Sequence, residues 1–349
     1  MKIAIVNDVP LAREALRRVV TSVPEFNVAW LACDGAEAVE KTKADRPDLI
    51  LMDLIMPQVD GVEATRRIMA ESPCPILVVT ATVSGNMGRV YEAMGLGALD
   101  AVDTPSFDHR EGVLGTSPLL EKIATISRLI GRPSRMPITP PPPSTFETEV
   151  PRGPMIVIGA STGGPNALGE ILSRLPDLPQ ATIVIVQHVD QAFSHGLARW
   201  LTEKTGRQVD LIESGGYPEP GRCYLAGTND HVILDEHFRF RYVADPVTLY
   251  YRPSVDVFFA SVAGRWPVPG AAALLTGMGR DGAAGLKALR AAGWATIAQD
   301  ESTCIVYGMP RAAAEIDAAE QILPLKDIAP ALVEGMNRRT GRPRREDPR

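Results

Sequence analysis

Cysteine is scarce in this chain, with four in 349 residues. Cys33, Cys74, Cys223 and Cys304 are scattered, with no C-x-x-C pair and no histidine at metal-site spacing, which argues against a disulfide scaffold or a cysteine-held metal. Such thiols read as reduced and mostly structural, as in a cytoplasmic protein. Long apolar runs are missing too. None is long enough to span a bilayer, so no membrane insertion is expected. The apolar start Met1-Lys2-Ile3-Ala4-Ile5-Val6 meets Asn7-Asp8 too soon to be the core of a signal peptide. A basic excess is the third absence. The 36 Lys and Arg residues against 42 Asp and Glu leave a net charge of -6, the wrong sign for gripping nucleic acid phosphates or anionic lipid. Basic residues gather only in 337–349, where Arg and Pro abound and apolar residues are few, so a solvated, disordered tail is expected there.

What is present is apolar content, 45% of a chain longer than one core usually serves, so two domains are the natural division. Over 132–153 the apolar periodicity stops and Pro137, Pro140 to Pro143 and Pro151 dominate, which predicts an extended, semi-rigid linker. Before it, apolar runs at 2–6, 28–31, 49–52, 76–79 and 99–102 read as strands. Stretches of helical period at 11–20, 36–43 and 62–70 lie between them. This alternation predicts an α/β domain over 1–131 with a five-stranded parallel sheet. After the linker the pattern resumes with strands at 155–158, 183–186, 223–226, 272–275 and 296–298 and helices at 165–175, 194–204 and 284–292. A second, doubly wound and mostly parallel α/β domain is expected over 154–336.

In a doubly wound sheet, ligands gather beyond the carboxyl ends of the strands. Asp8 follows the first strand and Asp53 the third, so two carboxylates share one edge, where oxygen ligands and water suit Mg²⁺. Thr80 ends the fourth strand and offers a hydroxyl to a phosphoryl group on Asp53. Each residue alone is a common turn former, but their joint placement points to a site. This region resembles the flavodoxin-like receiver domains of two-component response regulators, most specifically in Leu51-Met52-Asp53-Leu54-Ile55-Met56-Pro57 and Asp60-Gly61. The resemblance implies that Asp53 is the phosphoacceptor, Asp8 and Asp53 metal ligands and Thr80 the switch hydroxyl. Three positions depart from the receiver pattern. Asn7 stands where a second acidic residue is usual, Thr104 where a lysine precedes Pro105, and Ala101 where an aromatic switch residue is common. The first removes a charge from the cation site and the second an ion pair to the phosphoryl group.

In the second domain Gly159-Ala160-Ser161-Thr162-Gly163-Gly164 follows a strand, and Pro165 then opens a helix. This is a G-x-S-x-G turn, whose glycines permit the sharp bend that lifts a serine above the sheet edge. A phosphate-cradling turn is the rival, but the Gly-Lys-Ser/Thr ending and the G-x-G-x-x-G spacing are both absent. A serine hydroxyl needs a base within reach and a group to orient that base. Of five histidines, His188 stands out because it follows the strand 183–187 on the same sheet edge as Ser161. His109 falls in the irregular end of the receiver, His195 begins a helix, His231 lies beside a turn and His237 in a polar hairpin-like stretch. Asp281, in Thr276-Gly277-Met278-Gly279-Arg280-Asp281-Gly282, is the chosen orienting acid; its alternative is to cap the helix from Ala283 onward. The order Ser, His, Asp differs from that of α/β-hydrolases.

These residues, with Gln187-His188, Tyr251-Arg252-Pro253-Ser254-Val255-Asp256 and Tyr307-Gly308-Met309-Pro310, resemble the chemoreceptor protein-glutamate methylesterases with an N-terminal receiver, the CheB family. The resemblance spans nearly the whole chain. It implies a triad of Ser161, His188 and Asp281, with Thr162 beside the nucleophile and the Met278 amide in the oxyanion site. It also implies methyl-ester hydrolysis on receptor glutamates, deamidation of receptor glutamines, chemoreceptors as substrates, a chemotaxis-type histidine kinase as phosphodonor, and a receiver that covers Ser161 until it is phosphorylated. No cofactor is expected for the hydrolase, and Mg²⁺ for the receiver. Asn7-Asp8 and Asp100-Ala101-Val102-Asp103-Thr104-Pro105 look like the branch serving Wsp-type surface-sensing arrays. Two other outputs for a receiver protein remain: a nucleic-acid-binding domain, for which no basic recognition helix is evident, and a non-catalytic docking module, which needs no intact triad.

Overall fold

The computed structural model describes residues 1–82, 84–108, 112–114, 116–131, 153–249 and 251–339. His109 and the linker up to 152 therefore lie outside the described residues. The chain divides into two compact units, Met1–Arg132 and Pro133–Arg349.

In the first unit five parallel strands lie in the order Asn27–Ala32, Lys2–Val6, Leu49–Met52, Ile76–Thr80, Asp100–Asp103. That is the flavodoxin-like order, with its switch point between Lys2–Val6 and Leu49–Met52. The three inner strands, Lys2–Val6, Leu49–Met52 and Ile76–Thr80, are buried at every position after Lys2, because helices cover both faces of a parallel sheet. Ile3, Ile5, Leu49, Leu51, Leu77 and Val79 alternate onto one face and pack against Leu16, Val19 and Val20 of the helix Pro10–Thr21 and Leu119 and Ile123 of Thr116–Gly131. Each such burial contributes roughly 1.5–3 kcal/mol. Asp34 and Asp60 cap the helices Gly35–Ala44 and Gly61–Glu71 by accepting the amides of Glu37 and Glu63.

The second unit holds seven parallel strands in the order Val209–Leu211, Cys223–Leu225, Thr182–Gln187, Met155–Ala160, Ala271–Leu274, Ala295–Gln299, Gln321–Leu323. After Met155–Ala160 the chain winds first to one side, through Thr182–Gln187, and later to the other, through Ala271–Leu274. This makes a switch point at the carboxyl end of the Met155–Ala160 strand, the place where doubly wound sheets bind ligands. A separate antiparallel hairpin, His231–Leu234 with Phe240–Val243, packs through Val232, Leu234 and Phe240 into a core built around Phe258, Phe259 and Trp294.

Two expectations are corrected here. His195 does not begin a helix: Gln191–Thr205 starts earlier because Asp190 accepts the Ala192 amide as its cap. The tail does not begin at Asn337, since the helix Leu325–Arg339 continues through it and Arg339 pairs with Glu320. An apolar face (Ile328, Ala329, Leu332, Met336) anchors that helix against the sheet, and this outweighs the polar composition of its last turn.

Candidate active site

Ser161 is the first residue beyond the Met155–Ala160 strand, almost fully buried at 7% exposure. Its N–H donates to the Thr276 carbonyl at 3.0 Å. Its own carbonyl accepts from the Gly164 amide at 2.8 Å and from Gln187 Nε2 at 2.8 Å, which closes a tight turn. Gly163 adopts φ +79°, the left-handed region that costs a side-chain-bearing residue energy. At Gly164 a Cβ would sit 1.9 Å from Gln187 Oε1, so a side chain here would have to displace the buried Gln187 amide that holds the Ser161 carbonyl.

The register Ala160↔Gln187 makes Ser161 and His188 the next positions along two adjacent parallel strands, and the His188 N–H donates to the Ala160 carbonyl at 3.0 Å. Neighbouring strands run about 4.8 Å apart, so the two side chains leave the sheet edge side by side. The His188 ring stacks on Tyr251, with centroids 3.9 Å apart and planes 8° from parallel. Its Nε2 meets Asp281 Oδ2 at 2.7 Å, with the side chains only 6% and 10% exposed. His188 Nδ1 is buried and has no hydrogen-bond partner among the described residues.

Asp281 does not cap the helix that follows it. Gly282, at φ +89°, takes the cap position of Ala283–Ala291 without a side-chain bond and turns Asp281 away. The carboxylate instead sits on the N-terminus of another helix, Val255–Arg265, where Ser254 Oγ, Val255 N–H and Asp256 N–H donate at 2.7, 2.7 and 3.1 Å. Burial pushes its pKa up, but the His188, Ser254 and Val255 bonds outweigh it and hold Asp281 below the ordinary carboxylate range. The exchange is reciprocal, because Asp256, in the first turn of Val255–Arg265, accepts the Gly285 amide of the other helix at 2.7 Å. Burial and the neighbouring Asp281 charge push Asp256 up to about 8. Two adjacent carboxyls thus differ in state because one has the imidazole, a hydroxyl and two amides for its charge.

Thr162, beside Ser161, is buried, and its carbonyl accepts the Thr276 hydroxyl at 2.9 Å. Met278 follows Gly277, where a Cβ would meet Met309 Sδ at 2.3 Å and Ser161 Cβ at 2.7 Å. Gly277 therefore lets the Gly277–Met278 turn close onto the serine. The N–H groups of Thr162 and Met278 donate to no partner among the described residues. Ser254, Asp256, Tyr251 and His231 are the site residues not assigned a role from sequence. The signal for the first three was the segment Tyr251 to Asp256, but its helix, VDVFFASVAGR, is too apolar to show a period, and His231 lies apart from it on the strand His231–Leu234.

In the receiver unit Asp53 is buried just past Leu49–Met52. Its Oδ1 accepts the Leu54 amide at 2.7 Å and its Oδ2 the Asn7 Nδ2 at 2.9 Å. Burial pushes its pKa up to about 6, with the Leu54 and Ile55 amides opposing and Asp8 adding to the rise. Asn7 Oδ1 accepts the Val9 amide at 2.9 Å, so this side chain turns its NH₂, not its oxygen, toward Asp53. Among the described residues no cluster of three or more His, Cys, Asp or Glu could hold a metal ion. Thr80 ends its strand buried, with Asn86 Nδ2 donating to Oγ1 at 3.2 Å, and Thr104 follows Asp100–Asp103.

Comparison with known proteins agrees with this division. Residues 156–332 match the CheB methylesterase family and residues 3–111 the response regulator receiver domain. The protein-glutamate methylesterase/protein-glutamine glutaminase 3 of Pseudomonas aeruginosa is 51% identical over 335 residues, covering 96% of this chain and 99% of that relative. The corresponding protein 4 of Burkholderia thailandensis is 52% identical, covering 99% of this chain and all of its own length. The Thermotoga maritima CheB methylesterase catalytic domain superposes with a TM-score of 0.50 at 35% identity, over 52% of this chain and 98% of its own. These matches overturn the nucleic-acid-binding and docking outputs as readings of the second domain. Among the described residues no helix is long and apolar enough to cross a membrane. With both domains matched and relatives similar over nearly its whole length, the chain belongs to the CheB methylesterase family, with a response regulator receiver domain preceding the catalytic domain.

Proposed function

We propose that Ser161, His188 and Asp281 form the catalytic triad with which this chain hydrolyses glutamate methyl esters of chemoreceptors and deamidates receptor glutamines. One observation carries the reading. A buried imidazole, on the strand beside that of the serine, has one nitrogen 2.7 Å from a carboxylate and the other without a partner among the described residues. Asp281 fixes the proton on Nε2, so Nδ1 is left as the base for Ser161 Oγ. Ser161 attacks the ester carbonyl, Nδ1 takes its proton and returns it to departing methanol, or to ammonia from a glutamine. Water, deprotonated at the same nitrogen, then releases the receptor carboxylate. The N–H groups of Thr162 and Met278 receive the developing oxyanion; losing one such donor costs on the order of 3 kcal/mol of barrier.

The receiver phosphorylates on Asp53, with a chemotaxis-type histidine kinase as donor and Thr80 as the switch hydroxyl. Asp8 and Asp53 would hold Mg²⁺ through carboxylate oxygens, and the ion supplies neutralisation of the phosphoryl charge. Asn7 adds no oxygen there, so the remaining places fall to water and backbone. Hydrolysis itself uses side chains and backbone alone. The reading is that of a cytoplasmic enzyme acting on the cytoplasmic part of its receptors. Labelling with a fluorophosphonate tests the triad: the adduct maps to the peptide holding Ser161 and is lost in His188→Gln. An adduct elsewhere, or one indifferent to His188, refutes it.

A further inference from the structure

Three of the four hydrogen bonds on the Asp281 carboxylate come from one short stretch, the Ser254 hydroxyl and the Val255 and Asp256 amides. The carboxylate is therefore only as well placed as the N-terminus of the helix Val255–Arg265. The amide that opens this stretch, Ser254 N–H, donates to His231 Nδ1 at 3.1 Å. His231 is completely buried at the start of the hairpin strand His231–Leu234. A ring that accepts at Nδ1 must carry its proton on Nε2, and Nε2 lies 3.3 Å from the Pro246 carbonyl, which can receive it. Burial lowers the His231 pKa and Arg252 adds to this, while the Pro246 carbonyl, Asp281 and Asp230 oppose; the neutral, accepting ring is favoured.

We propose that His231 is a positioning residue for the catalytic carboxylate: its Nδ1 anchors the Ser254 amide, and residues 254–256 in turn hold Asp281 against His188. The inference rests on the triad reading above. A histidine that merely filled the core would need no acceptor at Nδ1. Without the anchor, a buried N–H is left unpaired and the helix start shifts to find water or another partner.

Two substitutions separate the roles. His231→Asn places an amide oxygen near the position of Nδ1 and can still accept from Ser254. His231→Gln reaches instead toward the position of Nε2 and leaves the Ser254 N–H without an acceptor. In the full chain, with methanol release from methylated receptor membranes as the assay, His231→Gln should lose roughly 10- to 100-fold in kcat at little-changed KM, as misplacement of a catalytic group does. The acid limb of its kcat/KM profile should move to higher pH, because a looser grip makes Asp281 more basic. His231→Asn should stay within about threefold of wild type with an unmoved limb. Equal activities and pH profiles for the two variants overturn the proposal. A test on the wild-type chain needs no variant to fold: ¹⁵N spectra of the histidine rings should show His231 protonated at Nε2, and an Nδ1–H tautomer overturns the anchor. Ser161→Ala runs in parallel. If it retains activity the triad reading itself fails, whereas an inactive Ser161→Ala beside equal His231 variants removes only this inference.

Discussion

Replacing Asp281 by Asn changes one heavy atom and disturbs four hydrogen bonds. In the wild type Oδ1 accepts from Ser254 Oγ and Asp256 N–H, and Oδ2 from His188 Nε2 and Val255 N–H. An amide has one oxygen, so in either orientation its NH₂ faces a backbone N–H that had an acceptor. With the oxygen toward Ser254, the NH₂ also faces His188 Nε2 and drives the ring to the tautomer with its proton on Nδ1, useless as a base. With the oxygen toward His188 the tautomer survives, but the charge that stabilises the imidazolium is gone. The expected loss is on the order of 10²–10⁴ in kcat. Stability should change less. One unpaired buried N–H costs about 1–3 kcal/mol, partly offset because a carboxylate no longer has to be buried. A net loss near 1 kcal/mol lowers Tm by roughly 2–4 °C in a domain of this size. The wild-type Asp281 has a lowered folded pKa, so its contribution is present above the ordinary carboxylate range and lost as pH falls through the folded value. The deficit of Asp281→Asn should therefore shrink in acid. Methanol release and thermal melts across pH read both effects. A folded Asp281→Asn with kcat within tenfold of wild type would refute the role given to Asp281.

Gly164→Ala would bring a methyl to 1.9 Å from Gln187 Oε1 and should cost about 1–3 kcal/mol while slowing hydrolysis, since Gln187 also holds the Ser161 carbonyl; an unchanged Tm and rate would contradict the turn described. Asp256 has a folded pKa raised to about 8, so it weakens the fold as pH rises from its unfolded pKa toward that value. Asp256→Asn should then gain stability relative to wild type over that interval and level off above it, and a pH-independent difference in melting would count against the raised value. Asp53→Asn should abolish acetyl-phosphate labelling, and wild-type labelling in limiting Mg²⁺ should decline below about pH 6 as the nucleophilic carboxylate protonates. Labelling of Asp53→Asn equal to wild type would remove Asp53 from its role. Asn7→Asp should tighten Mg²⁺ binding by restoring a carboxylate beside Asp53, measured by calorimetry; weaker or equal binding would mean that Asn7 does not limit the site.

The five receiver strands were legible as short apolar runs and three of its helices by their period, two of them with a capping Asp, Asp34 and Asp60; Met87–Gly95 and Thr116–Gly131 were not read. Ser161 and His188 were legible for a related reason. Each directly follows a buried parallel strand, and the parallel register carries both to one edge. The partner of Asp281 was harder to find. Its sequence neighbourhood suggests a cap for the helix beginning at Ala283, and only tertiary packing brings the Val255–Arg265 N-terminus to it. Ser254 and His231 act through such long-range bonds, which no local pattern encodes. The three-residue edge strands Val209–Leu211 and Gln321–Leu323 escaped notice because they are too short to show alternation. The helix Leu325–Arg339 contains Pro330, which reads as a breaker in sequence, yet its apolar face carries it to Arg339.

Whether Ser161 performs the hydrolysis is decided by methanol release from methylated receptor membranes, measured with the wild-type chain and with Ser161→Ala. Ser161→Ala, folded and melting close to the wild type, should release no methanol above the enzyme-free rate, with and without a phosphodonor. Undiminished release from Ser161→Ala would contradict that role.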